Sequence, residues 1–369
     1  FIMEQDELKR IISLFAIQGT VGDVKPLGEG LINDTYLVKT AEADAPNYVL
    51  QRVNEAVFPD VDMVMRNIEA VTTHIRKKLE AKGTPDIERR VLRFIPLKGE
   101  NKLYTVVNGK YWRLMVFIPN AITKQAVNAE SSRAAGEAFG QFQSMLADIP
   151  VQLGETIKDF HNMEFRLQQL HDVLKENPAG RANEPRVQQM LSIIEENAEE
   201  MCKAEKMGRE GILPKRVCHC DTKVNNMMFD DQDNVLCVID LDTVMPNFIF
   251  SDYGDFLRTG ANFVAEDCPD MDKVGFNMEI FKAFTEGYLK SAKDFLLPVE
   301  VENLPYAAAL FPYMQCVRFL WDYISGDKYW KCKYPDHNFD RANNQLHLFL
   351  DVKNHYCEMK EFIAKQMEA

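Results

Sequence analysis

Cys218-His219-Cys220-Asp221-Thr222-Lys223-Val224-Asn225-Asn226 is the stretch on which the reading of this 369-residue chain turns. Neighbours on an extended chain point to opposite faces, so Cys218, His219 and Cys220 do not converge on a metal. His219 reads instead as a packed side chain that braces the loop. Just downstream, the apolar runs 227–229 and 235–239 flank Asp230-Asp231-Gln232-Asp233-Asn234 and predict a hairpin with a polar turn. A hairpin returns the end of its second strand to the start of its first. Asn226 is therefore expected beside Asp240, in Ile239-Asp240-Leu241-Asp242.

Outward from this island the chain has two characters. Residues 21–28, 35–40, 48–53, 90–94, 102–107 and 111–117 read as short strands, the last two joined by the hairpin signal Asn108-Gly109. Between them Pro59-Asp60 opens a helix with Val64, Ile68, Val71 and Ile75 on one face. Beyond residue 121 helical periodicity dominates. Residues 134–146 are apolar on one side, and 186–202 line up Val187, Met190, Leu191, Ile194, Ala198 and Met201. The predicted class is α+β, with a small antiparallel β-sheet lobe over 1–117, a hinge at 118–121 and a larger, mainly helical lobe over 122–369.

Forty-three basic residues against 56 acidic ones give a formal net charge of −13. That sign opposes the phosphate attraction on which non-specific nucleic-acid binding depends, so no nucleic-acid partner is expected. With 46% hydrophobic and 27% charged residues, the composition is globular rather than disordered, collagenous or coiled-coil. No apolar run reaches the roughly 18 residues of a membrane span, and the first ten residues lack a basic stretch followed by an apolar core. Neither a membrane nor a secretory signal is expected. Eight cysteines without a C-x-x-C pair fit a reducing cytoplasm. The expected assembly is a monomer or weak homo-oligomer.

His219-x-Asp221 followed by Asn226 has the spacing of a kinase catalytic loop, H-R-D-x-x-x-x-N. Phosphoryl transfer needs a carboxylate to accept the proton of the attacking hydroxyl, and hard oxygens to hold Mg²⁺ against the nucleotide phosphates. Asp221 suits the first role, Asn226 and Asp240 the second, and Asp242 either joins the metal or caps a turn. Lys223 either steadies the transferred phosphate or is a solvated loop lysine. The D-F-G and A-P-E segments of protein kinases do not follow. With Ile-Asp-x-Asp at 239–242, the chain instead resembles the aminoglycoside phosphotransferase and choline kinase superfamily, small-molecule kinases that share the protein-kinase fold. The resemblance implies a two-lobed protein-kinase-like fold with ATP in the cleft. It also places Asp252 and Asp255 in the superfamily's next acidic motif, the second bracing the catalytic loop through backbone N–H groups.

Gly28-Glu29-Gly30-Leu31-Ile32-Asn33-Asp34-Thr35 joins two predicted strands, and its glycines would let backbone amides approach phosphates without a Cβ in the way. Gly28, Gly30, Asn33 and Thr35 are the nucleotide candidates there. No Walker A sequence occurs. The strand 48–53 stands where a phosphate-binding lysine is expected. Arg52 is the candidate, Gln51 the alternative by register, and Glu69 the helical partner. The adenine edge would meet the hinge backbone after Met115, at Phe117.

Longer stretches carry a closer resemblance: Gly-x-Ile-Asn-Asp-Thr-Tyr-Leu-Val (30–38), Leu-Gln-Arg-Val-Asn-x-x-Val-Phe (50–58), Asp-Phe-His-Asn (159–162), Gly-Asp-Phe-Leu-Arg-Thr-Gly-Ala-Asn (254–262) and Arg-Phe-Leu-x-Asp-Tyr-Ile-x-Gly-Asp-x-Tyr (318–329). With the 220–226 and 239–246 segments, these are similar to the N-acetylhexosamine 1-kinases, which phosphorylate the anomeric hydroxyl of GlcNAc and GalNAc with ATP. The resemblance implies Asp221 as base, Asn226 and Asp240 as metal ligands, and Arg318 and Tyr329 as sugar contacts. Leu31 stands where that family usually has His, beside the glycine-rich turn and near the sugar. Two rivals accompany this expectation: a kinase for choline, an aminoglycoside or homoserine, and a catalytically silent binding protein.

Overall fold

A computed structural model describes residues 4–28 and 34–369. Gly30, Leu31 and Asn33 lie outside the described residues. The chain divides into two compact units, residues 1–123, 148–158 and 227–245 in one, and residues 124–147, 159–226 and 246–369 in the other.

The first unit begins with helix α1 (Gln5–Ile12) and is built on a five-stranded antiparallel sheet. Its strands are β1 (Val21–Pro26), β2 (Asp34–Thr40), β3 (Tyr48–Val53), β4 (Thr105–Val107) and β5 (Lys110–Val116), in the order β1-β2-β3-β5-β4. Side chains alternate between the faces. Tyr36, Val38, Tyr48, Leu50, Trp112 and Leu114 share a buried cluster with Leu8, Ile11 and Ile12 of α1, which leaves Gln51 and Arg113 on the opposite face. Asp60 caps helix α2 (Val61–Ala81) by accepting the Met63 N–H, and Val64, Ile68, Val71 and Ile75 are buried as their spacing predicts. Asn108 and Gly109, both with positive φ (52° and 74°), make the tight β4–β5 turn. Residues 90–94, expected as a strand, do not form one. Only single ladder bonds reach β5 there, from the Val116 N–H to the Arg93 carbonyl and through an isolated Phe94–Met115 bridge.

The second unit is mainly helical, with α3 (Ala129–Leu146), α4 (Met163–Glu176), α5 (Pro185–Met201), α6 (Lys203–Arg209) and strand β6 (Arg216–Cys218). The chain then passes into the first unit as a hairpin of β7 (Met227–Phe229) and β8 (Val235–Val238), in the register Met227 to Val238. The Asp230 carboxylate accepts the N–H groups of Gln232 and Asn234 and shapes its polar turn. Strand β9 (Met245–Asn247) leads back to α7 (Phe250–Gly260), α8 (Met278–Ala292), α9 (Pro298–Glu302), α10 (Leu304–Ser325), α11 (His337–Asn354) and α12 (Tyr356–Glu368). Helices α3 and α8 meet backbone to backbone. A Cβ on Gly136 would stand 2.1 Å from the Phe284 carbonyl oxygen, and one on Gly287 2.0 Å from that of Arg133. Among the described residues no helix is long and apolar enough to cross a membrane.

Candidate active site

The 218–226 loop is held from within the helical unit by α7. The fully buried Asp252 carboxylate accepts the N–H groups of His219 (3.1 Å) and Cys220 (2.8 Å) and the Gln143 side-chain amide (2.9 Å). Asp255 accepts the Thr222 N–H at 3.0 Å, and the Thr222 hydroxyl donates to the Asp252 carbonyl at 2.7 Å. These four loop contacts hold Cys220 at φ 69°, a left-handed conformation that costs a non-glycine residue on the order of 1 kcal/mol. His219 is fully buried between the edges of Phe139 and Phe142, and its Nδ1 accepts the Asp221 N–H at 3.2 Å. Burial and the Asp252 charge push the Cys218 and Cys220 thiols far up, which removes both as thiolate nucleophiles.

Asp221 emerges from this brace partly exposed, its side chain 29% accessible. The Asn226 amide donates to the Asp221 carbonyl at 2.8 Å and to its Oδ2 at 3.0 Å, and Lys223 Nζ stands 3.7 Å from the same oxygen. Asp221, Lys223 and Asn226 are therefore brought together. Asn226 turns its Nδ2 to the aspartate, and its Oδ1 takes no hydrogen bond among the described residues.

Burial and the neighbouring Asp221 carboxylate raise Asp255 from 3.8 to about 6, with Arg258 opposing. Between about pH 4 and pH 6 the folded chain holds a proton there that the unfolded chain releases, so stability falls as pH rises through that window. Asp255→Asn keeps an acceptor for Thr222 and removes the charge, and is expected to flatten this part of the stability curve. At about 1.4 kcal/mol per pKa unit, up to about 3 kcal/mol is at stake. Urea titrations across the window check it, and parallel curves for the two proteins would remove Asp255 as the cause.

In the sheet unit Asp240 has φ 58° and ψ 70° and opens the turn Leu241–Thr243. Asp242 forms a fork with Arg113 of β5, the Nη2 to Oδ2 arm measuring 3.0 Å, and both side chains are nearly inaccessible, at 4% and 3%. Arg113 Nε also donates to Gln51 Oε1 at 3.0 Å. Arg52 points to the other face of the sheet and pairs with Asp34, its direct cross-strand neighbour, at 2.7 Å. The expected Arg52–Glu69 pair is accordingly not formed. Gly28 has φ 69°, which a side chain would strain, and the Leu27 N–H donates to the Thr35 carbonyl at 2.9 Å. Met115 pairs with Val49, and the Phe117 N–H is committed to the Asn47 carbonyl at 2.8 Å because the strand pairing runs one residue past β5. That donor is thus occupied where an adenine contact was expected.

Helix α10 carries Arg318, whose guanidinium lies 5.2 Å from the Trp330 ring and 6.0 Å from that of Phe160, and which donates to Gln315 Oε1 at 3.3 Å. Burial, together with the charge of Arg258, holds it below its usual range, opposed by Tyr329 and Asp255. Arg166 of α4 donates to the Phe160 carbonyl, and burial and the charge of Arg318 bring it down to about 9. Neither arginine makes a carboxylate ion pair among the described residues. Tyr329 is 62% exposed and stacks edge-on with Trp330 (4.6 Å) and Trp321 (6.0 Å). The loop bearing it is fixed by Asp322, fully buried, which accepts the N–H groups of Lys328, Tyr329 and Trp330 and the Asn338 amide.

Asp322 and Arg113 were not singled out by the sequence, although each left a sign. Asp322 stands one turn before the helix-ending Gly326, and Arg113 is a lone charge within Tyr-Trp-Arg-Leu-Met-Val, a setting in which a buried charge needs a partner. Among the described residues no group of three or more His, Cys, Asp or Glu could by itself hold a metal ion. Mg²⁺ needs no such cage, since it keeps waters and takes one or two carboxylates plus substrate phosphates. Asp240, in the sheet unit, is a hard carboxylate donor of that kind.

Residues 23–277 match the phosphotransferase enzyme family. Among solved structures the chain is similar to an aminoglycoside phosphotransferase from Alicyclobacillus acidocaldarius, with a TM-score of 0.60 and 12% identity over 99% of this chain and 97% of that one. It is similar also to an amicoumacin kinase in complex with AMP-PNP, Ca²⁺ and Ami, with a TM-score of 0.58 and 13% identity over 94% and 93% of the chains. A choline kinase from Streptococcus pneumoniae gives 0.52 and 15% over 95% and 99%. At such identities the likeness is one of fold.

Proposed function

The chain belongs to the phosphotransferase enzyme family, and from that premise we propose that it transfers the γ-phosphoryl group of ATP to the anomeric C1 hydroxyl of N-acetylhexosamines, GlcNAc and GalNAc. In this reading the sheet unit supplies the nucleotide contacts Gly28, Gly30, Asn33 and Thr35, and the helical unit supplies the base and the acceptor site. Asp221 accepts the hydroxyl proton as the sugar oxygen forms its bond to the γ-phosphorus and the bond from that phosphorus to ADP breaks. Lys223, close to the same carboxylate, faces the negative charge in transit. Asn226 and Asp240 hold Mg²⁺, which when bound offsets charge on the phosphate oxygens. The nucleotide and divalent cation carried by the amicoumacin kinase support that pairing. The sugar C–O bond is untouched, so the anomeric configuration is retained.

The observation that carries the acceptor class is Arg318 beside Trp330 and Tyr329, with Arg166 behind it. Guanidinium groups donate to hydroxyl and acetamide oxygens and repel a cation, while ring faces cover the apolar face of a pyranose. The grouped rings of Trp321, Tyr329 and Trp330 favour a second reading, because aromatic cages also take quaternary ammonium groups. Arg318 opposes it. An ATP-consumption screen over GlcNAc, GalNAc, choline, homoserine and aminoglycosides is expected to give the fastest turnover with an N-acetylhexosamine, and faster turnover of choline or an aminoglycoside would overturn the assignment. Arg318→Ala is expected to raise the Michaelis constant for the sugar far more than that for ATP. The loss of a charge-assisted hydrogen bond would cost about 1.5–3 kcal/mol in sugar kcat/KM.

A further inference from the structure

Kinases of this general type place a β3 lysine at the nucleotide phosphates and pair it with a helical carboxylate. Here the β3 residue on the relevant face is the neutral Gln51, and Arg52 is turned away and engaged by Asp34. The buried cation of that face belongs to the next strand. Gln51 and Arg113 are direct partners in the β3–β5 register, and Thr35 and Gln51 are direct partners in the β2–β3 register. Their side chains join into one row: Gln51 Nε2 reaches Thr35 Oγ1 at 3.4 Å, Arg113 Nε reaches Gln51 Oε1 at 3.0 Å, and Arg113 forks onto Asp242. The row starts at Thr35 and ends at Asp242, two residues from Asp240. On α2, Met65 Sδ lies 3.7 Å from Arg113, and the Asn67 amide donates to the Val244 carbonyl at 3.2 Å. The segment carrying the left-handed Asp240 is therefore gripped from a strand on one side and a helix on the other.

We propose that Arg113 is a positioning residue: through its fork with Asp242 it fixes the 240–244 segment so that the Asp240 carboxylate is presented to the nucleotide-bound metal. A buried ion pair gains little stability over apolar side chains of similar size, and its best-attested use is to fix a register. An arginine fork suits that use because it sets direction as well as distance. The inference rests on Asp240 as the metal ligand proposed above, and it is independent of the acceptor.

The test is calorimetric binding of ADP, with Mg²⁺ and with a chelator, without any acceptor, alongside the melting temperature. Arg113→Met/Asp242→Leu replaces both buried charges together and leaves none unpaired. The expected result is a melting temperature close to that of the parent, unchanged metal-free ADP affinity, and a loss of about 10–100-fold in the affinity gained from Mg²⁺, the usual scale for groups that orient a metal ligand. A full Mg²⁺ gain in the folded double variant overturns the proposal. If that variant does not fold, Arg113→Lys decides, since it keeps the charge and loses the fork: a reduced Mg²⁺ gain supports the proposal and an unchanged one overturns it. Asp240→Ala separates the two levels. If it loses the Mg²⁺ gain while the double variant keeps it, only the positioning role fails; if Asp240→Ala itself keeps the gain, the metal assignment fails and takes this proposal with it.

Discussion

Asp221→Asn is expected to lower turnover by about 10²–10⁴, the usual scale of a general base, with folding and ATP affinity nearly unchanged. Asparagine matches the shape of aspartate and still offers an oxygen to the Asn226 amide, which also holds the Asp221 carbonyl at 2.8 Å. The loop around it depends on Asp252 and Asp255 rather than on the charge of Asp221. The variant therefore removes proton acceptance and little else. Steady-state kinetics with the acceptor and a melting curve check this, and a variant that kept most of its turnover would take Asp221 out of the mechanism.

Asp252→Ala is expected to act on stability instead, by about 3–5 kcal/mol. The side chain is fully buried and accepts from two backbone N–H groups and the Gln143 amide. Each buried donor left without a partner costs about 1–3 kcal/mol. The Gln143 carbonyl oxygen is itself held by the Tyr288 hydroxyl, so the amide cannot readily swing to a new acceptor. Denaturant titration gives the number, and a loss below about 1 kcal/mol would show that the loop finds other partners.

Much of this was readable in the chain because the signals are local. The β7–β8 hairpin is spelled by five polar residues between two apolar runs, the β4–β5 turn by Asn108-Gly109, and the buried face of α2 by Val64, Ile68, Val71 and Ile75. The grouping of Asp221 with Lys223 and Asn226 follows from their closeness in sequence. Pairings across long separations were not readable. Arg113 meets Asp242 129 residues away and Gln143 meets Asp252 109 residues away, and no periodicity announces either. Register was the other limit. Whether Arg52 or Gln51 faced the inner side of β3 depended on one step along the strand. Residues 90–94 have strand composition, yet their pairing with β5 stops at the single Phe94–Met115 bridge.

Helices α3 and α8 touch through bare backbone at Gly136 and Gly287, where an added methyl would lie 2.1 and 2.0 Å from a carbonyl oxygen. That contact constrains how far a lineage can drift. A core leucine can be exchanged for isoleucine or methionine with modest repacking, but neither glycine can acquire any side chain without pushing the two helices apart. Helix α3 carries Gln143, which bonds Asp252, so a change in helix spacing is transmitted to the loop that presents Asp221. Two residues with no chemistry of their own thus set the spacing on which the 218–226 loop rests, and a chain that lost either would have to rebuild that support.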